Sequence, residues 1–113
     1  MPYIEAKLSV KLDESQKDDL QAKLTDAVGV AFSKPKAYIM TNIEDEKSIY
    51  MAGKQLDGGA YLSIGLLGAA SKPACQALTK NICDILSDYG IQGSNVYVTY
   101  HPTDLWGWNG SMF

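Results

Sequence analysis

Apolar and polar side chains alternate from Tyr3 to Val10. Ile4, Ala6, Leu8 and Val10 interleave with Glu5, Lys7, Ser9 and Lys11, the period of two that marks a half-buried strand. The period then lengthens. Leu20, Leu24, Ala27, Val28 and Ala31 recur at helical spacing, with Lys17, Asp18, Gln21, Lys23 and Asp26 on the other face. Asp13 or Ser15 can cap this helix, and Ser33-Lys34-Pro35 ends it, because the residue before a proline disfavours helix. A helix from about Glu14 to Phe32 is predicted. Ala37 to Ile43 reads as a second strand, Glu44 to Lys47 as a solvated turn, Ser48 to Ala52 as a short strand, and Gly53 to Gly59 as a loop. Ala60 to Gly68 is almost continuously apolar, which predicts a strand buried on both faces, as in a parallel sheet. Ser71 can cap a second helix, with Pro73 in its first turn, a stripe of Leu78, Ile82, Ile85, Leu86 and Tyr89, and Gly90 at its end. Asn95 to His101 is rich in β-branched and aromatic residues and reads as a last long strand. The tail from Pro102 to Phe113 holds both tryptophans.

The two halves repeat. Shifted by 58 positions, Leu20, Leu24, Ala27 and Val28 land on Leu78, Ile82, Ile85 and Leu86, and the flanking strands land on one another. The pattern predicts one α+β domain made of two tandem β-α-β units, about 1–55 and 56–113. Right-handed crossovers place both helices on one face of a four-stranded mixed sheet. The other face is expected to be too apolar for water, so oligomerisation through sheet faces or edges is expected.

At 113 residues the chain is the size of one domain. Its net charge of −3 comes with no basic block, which argues against nucleic acid as a partner. No window approaches the roughly 18 apolar residues that span a bilayer, so no membrane partner is expected. No basic region followed by an apolar run opens the chain. The expected compartment is therefore the cytoplasm, unless the protein is secreted by a route that needs no signal peptide. Cys75 and Cys83 fall eight residues apart on one predicted helix, about 12 Å by helical rise. That exceeds the roughly 7 Å that a disulfide allows. With one histidine, His101, and two separated cysteines, no metal-ligand spacing exists and no cofactor is expected. His101 has no acidic or nucleophilic partner fixed by spacing and reads as a surface residue.

One position carries chemistry of its own. Pro2 follows the initiator methionine and is small enough for Met1 to be trimmed. The mature chain would then begin with a secondary amine. Burial or a nearby cation lowers the pKa of such an amine, because both disfavour its charged form. An amine poised near working pH is a competent general base.

Met1-Pro2, Ser33-Lys34-Pro35 followed by Tyr38-Ile39-Met40, the strand Ser63-Ile64-Gly65, the strand Val96-Tyr97-Val98 and the ending Gly107-Trp108-Asn109-Gly110-Ser111-Met112-Phe113 occur in one order across the whole chain. Together they resemble the macrophage migration inhibitory factor family of the tautomerase superfamily. The resemblance implies a homotrimer with active sites at subunit boundaries. It also implies cofactor-free keto–enol tautomerisation of α-keto acids such as phenylpyruvate and of dopachrome-like compounds. Pro2 would be the catalytic base, Lys34 the cation that holds the substrate carboxylate and keeps the proline neutral, and Tyr97 a residue donated by the adjacent subunit. Ile64 and Ser63 would contact substrate beside the proline, and Tyr38, Trp108 and Phe113 would form an aromatic rim. Thr99 stands where many members have asparagine in substrate contact, and Trp106 where a smaller aliphatic residue is common; both bear on specificity. The Cys-x-x-Cys of some animal members is absent, its place taken by Leu56-Asp57-Gly58-Gly59. The family also implies an alternative reading, a cytokine-like protein that binds a receptor and turns substrate over incidentally.

Overall fold

The computed structural model describes all 113 residues. In chain order the elements are β1 (Pro2–Leu8), α1 (Glu14–Phe32), β2 (Met40–Glu44), β3 (Tyr50–Met51), β4 (Lys54–Gln55), β5 (Ala60–Leu67), α2 (Lys72–Ser87), β6 (Val96–Thr103), β7 (Gly107–Trp108) and β8 (Ser111–Met112).

Helix α1 begins and ends where its side chains dictate. Asp13 accepts from the Gln16 backbone N–H at 2.8 Å, and the Gln16 side chain accepts from the Asp13 N–H at 3.0 Å. This capping box satisfies two donors that a helix start leaves without partners. Ser33 turns left-handed at φ 54°, and the Lys34 N–H returns to the Gly29 carbonyl at 2.9 Å. That turn throws Lys34 off the helix axis toward the chain start. Helix α2 is capped by Ser71, whose hydroxyl accepts from the Ala74 N–H at 3.2 Å.

The sheet runs β2-β1-β5-β6. β1 is parallel to β2, β5 is parallel to β6, and β1 and β5 are antiparallel. Two β-α-β units thus join back to back through their first strands, in the mixed four-stranded arrangement that the repeat predicts. Ile4, Ala6, Leu8, Leu62 and Ile64 are fully buried against Leu20, Leu24, Val28, Leu78, Ile82 and Leu86. Each large aliphatic side chain taken from water contributes about 1.5–3 kcal/mol. A one-residue slip of β1 would turn Glu5 and Lys7 into that core, so the register is firmly set.

Three expectations need correction. The stretch Ala37–Ile39 is not strand. Lys36–Tyr38 form a single 3-10 turn after Pro35, and β2 starts only at Met40. β5 alternates buried and half-buried residues, so in the isolated chain only one of its faces is covered. The uncovered sheet face is not apolar. The register puts Glu5, Lys7, Asn42, Glu44, Ser63, Thr99 and His101 on it, beside Tyr3, Tyr61 and Tyr97. The face is mixed, with polar side chains and tyrosines side by side, rather than apolar throughout. The tail, expected only as an aromatic ending, folds into the β7–β8 hairpin. Asn109 and Gly110 both take positive φ, 51° and 80°, as a two-residue hairpin turn requires.

Candidate active site

The chain start, the turn after α1 and the tail meet at one end of the sheet. Pro2 lies opposite Leu66 in the β1–β5 ladder. The Met1 carbonyl accepts from the Leu67 N–H at 3.2 Å. Around it opens a cleft of about 570 Å³, within the usual size of a small-molecule site. Met1 and Pro2 form its base, Tyr38, Ile39 and Met40 one wall, and Trp106 and Trp108 the other. Eight of its ten lining residues are hydrophobic, so a flat apolar group is its natural occupant.

The aromatic rim is a connected unit. Tyr38 meets Trp108 edge to face with ring centres 5.9 Å apart, and Trp108 stacks on Phe113 at 6.2 Å and 17°. The Phe113 N–H also bonds the Trp106 carbonyl at 3.0 Å, which closes the tail upon itself. The 3-10 turn after Pro35 aims Tyr38 at this unit. Strand geometry from Ala37 onward would have spaced the side chains differently.

Lys34 does not line the cleft wall. Its ammonium lies behind the chain start and donates to the Leu67 carbonyl at 3.4 Å. From there it acts on the terminus: burial, and then the charge of Lys34, hold the Met1 amino group below its ordinary pKa.

The structure brings Pro2, Tyr38, Trp106 and Trp108 into the cleft, with Phe113 at its rim and Lys34 behind its base. It does not bring the others there within one chain. The Ile64 side chain is fully buried in the core and cannot touch a ligand. Ser63 pairs across from Glu5 and Thr99 on the open sheet face, three residues and roughly 10 Å along β5 from the Leu66 that faces Pro2. Thr99 is engaged on that face by the Tyr61 hydroxyl at 2.7 Å and His101 Nε2 at 2.9 Å. Tyr97 is 67% exposed and pairs with Tyr61, five residues from Leu66, which puts it roughly 17 Å from Pro2 along the strand direction and two strands away across the sheet. A Tyr97 that reaches a cleft must reach one belonging to another copy.

Met1, Tyr3, Ile39 and Met40 also line the cleft, and none of them was named as a site residue from the sequence, although Met1, Ile39 and Met40 lie in motifs that carry the resemblance. The signal available for them was their nearness to Pro2 and Tyr38. No group of three or more His, Cys, Asp or Glu side chains is placed to hold a metal ion.

Comparison with known proteins places these features in context. The family model of macrophage migration inhibitory factor matches residues 1–113. A macrophage migration inhibitory factor of Xenopus laevis is 33% identical over 116 residues, covering all of this chain and 99% of the relative. Among solved structures, Leishmania major MIF2 superimposes with a TM-score of 0.91 at 27% identity, covering 100% of this chain and 97% of its own. A macrophage migration inhibitory factor-like protein of Entamoeba histolytica shares the fold with a TM-score of 0.89 at 23% identity, covering 99% and 98% of the two chains.

Proposed function

The chain belongs to the macrophage migration inhibitory factor family, and from that premise we propose that it is a cofactor-free keto–enol tautomerase acting on α-keto acids of the phenylpyruvate kind and on dopachrome-like compounds. The base is the ring nitrogen of Pro2, freed by removal of Met1. The observation that carries this reading is the position of Pro2 in the cleft base, at a terminus where burial and Lys34 depress an amine's pKa.

The reaction follows from these parts. The Pro2 nitrogen takes a proton from the carbon beside the ketone. The released electron pair forms the carbon–carbon double bond, the carbonyl π pair moves onto oxygen, and that oxygen takes a proton from solvent water to give the enol. The proton on Pro2 then leaves to solvent or returns in the reverse reaction. A neutral amine is required for the first step, and burial and the charge of Lys34, which lower the pKa of the Met1 amine, favour the neutral form of an amine at this terminus. Negative charge grows on the oxygen as the proton leaves, and a fixed cation stabilises that charge in a cleft poor in water. We assign this role to Lys34, whose ammonium bonds the Leu67 carbonyl outside the cleft lining and would have to swing from it to meet the substrate carboxylate. Trp106, Trp108 and Tyr38 hold the apolar end. The assembly is a homotrimer, in which Tyr97 of a neighbouring copy completes the cleft.

The test is enol formation from phenylpyruvate, followed in the ultraviolet, after intact-mass measurement establishes that Met1 is gone. Pro2→Gly is expected to lose at least tenfold in kcat/KM, less than the roughly 10²–10⁴-fold that a positioned base supplies, because glycine keeps a terminal amine. Full activity in that variant, or a retained Met1 in an active protein, overturns the mechanism.

A further inference from the structure

Gly65 stands in the middle of β5, between Ile64 and Leu66, whose side chains are both fully buried. Strand alternation therefore aims position 65 at the open sheet face. Backbone conformation does not explain the glycine. Its φ lies outside the left-handed region, so an ordinary residue fits there, and a β-branched one would suit the strand better. A glycine inside a strand often marks a close approach. What approaches is Trp106. A Cβ built on Gly65 would stand 3.7 Å from Cζ3 and 3.8 Å from Cη2 of the indole, with the His101 carbonyl at 4.0 Å. A methyl group would make ordinary contact, and a longer side chain would compete with the ring for the same space. The Trp106 side is held as well. Its carbonyl accepts from the Phe113 N–H at 3.0 Å, and it is half-buried while its neighbour Leu105 is 80% exposed. Gly65 itself does not line the cleft; Trp106 does, and so does Tyr3, the cross-strand partner of Gly65.

Building on the tautomerase reading, we propose that Gly65 is a positioning residue: its missing side chain is the seat on which the Trp106 indole rests, and that seat places the wall that grips the apolar end of the substrate. The apolar end does not react, so its contact with Trp106 is made alike in the ground state and the transition state. Loss of such a contact raises KM and leaves kcat nearly in place.

The experiment places valine at position 65. In Gly65→Val the KM for phenylpyruvate is expected to rise about five- to tenfold, the size of one lost aromatic contact, with little change in kcat. The same substitution in a Trp106→Ala protein is expected to leave KM where Trp106→Ala alone puts it, because the ring it would displace is gone. Circular dichroism checks folding; if Gly65→Val does not fold, Gly65→Ser, which adds one atom beyond Cβ, is read in the same way. A second readout needs no turnover. In a Trp108→Phe protein Trp106 is the only tryptophan, and quenching of its emission by acrylamide is expected to increase when Gly65→Val is added. A KM that stays put in the folded variant, or one that rises equally with and without the indole, overturns the proposal. If the wild type turns over no phenylpyruvate, the tautomerase reading fails and the quenching alone judges the seat, with unchanged quenching overturning it.

Discussion

Pro2 shows how a residue can be legible by type and still need three dimensions for its role. Its place beside Met1 and at the head of a strand is plain in the sequence. That the strand's head forms the base of an apolar cleft is not, because the tail that walls it is more than a hundred residues away in the chain. Lys34 is a similar case. Its position after a helix end fits a solvated lysine, and only the left-handed turn at Ser33 sends it behind the terminus. Ile64 went the other way: its side chain belongs to the core, as the alternation of β5 requires. Lys34→Met tests the cation directly. A charged hydrogen-bond partner contributes about 1.5–3 kcal/mol, so kcat/KM for a keto acid is expected to fall roughly tenfold to a hundredfold. The pH profile moves as well. A base acts when deprotonated, so the rate climbs with pH through the amine's pKa. Without the ammonium the amine is easier to protonate, its pKa rises, and the acid limb shifts to higher pH. A profile that stays in place would remove Lys34 from the electrostatics of the terminus.

Among the elements, both helices and three of the four long strands were readable because periodicity and caps agree. The same shift of 58 that aligns the helix stripes also carries Pro2 onto Ala60 and Glu14 onto Lys72, the first residues of β1 and β5 and of α1 and α2. The stretch after Pro35 was not readable, since β-branched and aromatic residues there suggest strand while the chain takes one 3-10 turn to deliver Tyr38 to the rim. The β7–β8 hairpin had its signal in Asn109-Gly110. Loop packing left none. At Gly58 an added Cβ would drive into the Gly90 carbonyl, backbone against backbone, so the two loops at the far end of the sheet touch through that glycine. Gly58→Ala is expected to destabilise the fold by about 1–3 kcal/mol, as overpacking does, without a change in cleft chemistry. Urea denaturation measures it, and a midpoint equal to wild type would mean that the loops part freely.

For the whole molecule, the uncovered sheet face decides what can be said of assembly. It is mixed rather than apolar throughout, and Tyr97 lies too far from its own Pro2 to act there. Exposed apolar side chains include Met40 on the edge strand β2 and Trp108, Met112 and Phe113 in the tail, along with Val30, Tyr97 and Leu105 elsewhere. Sequence periodicity could not show this, because it reports which residues avoid water within one chain and not which edges remain. All of it converges on the Pro2 nitrogen as the base. The measurement that bears on this most directly is the phenylpyruvate tautomerisation rate of a chain with one alanine inserted between Met1 and Pro2. The insertion leaves the proline ring in place but turns its nitrogen into an amide, with the fold checked by circular dichroism. The account predicts a loss of roughly a hundredfold or more, the share of a missing general base; a rate equal to that of the unmodified protein would contradict it.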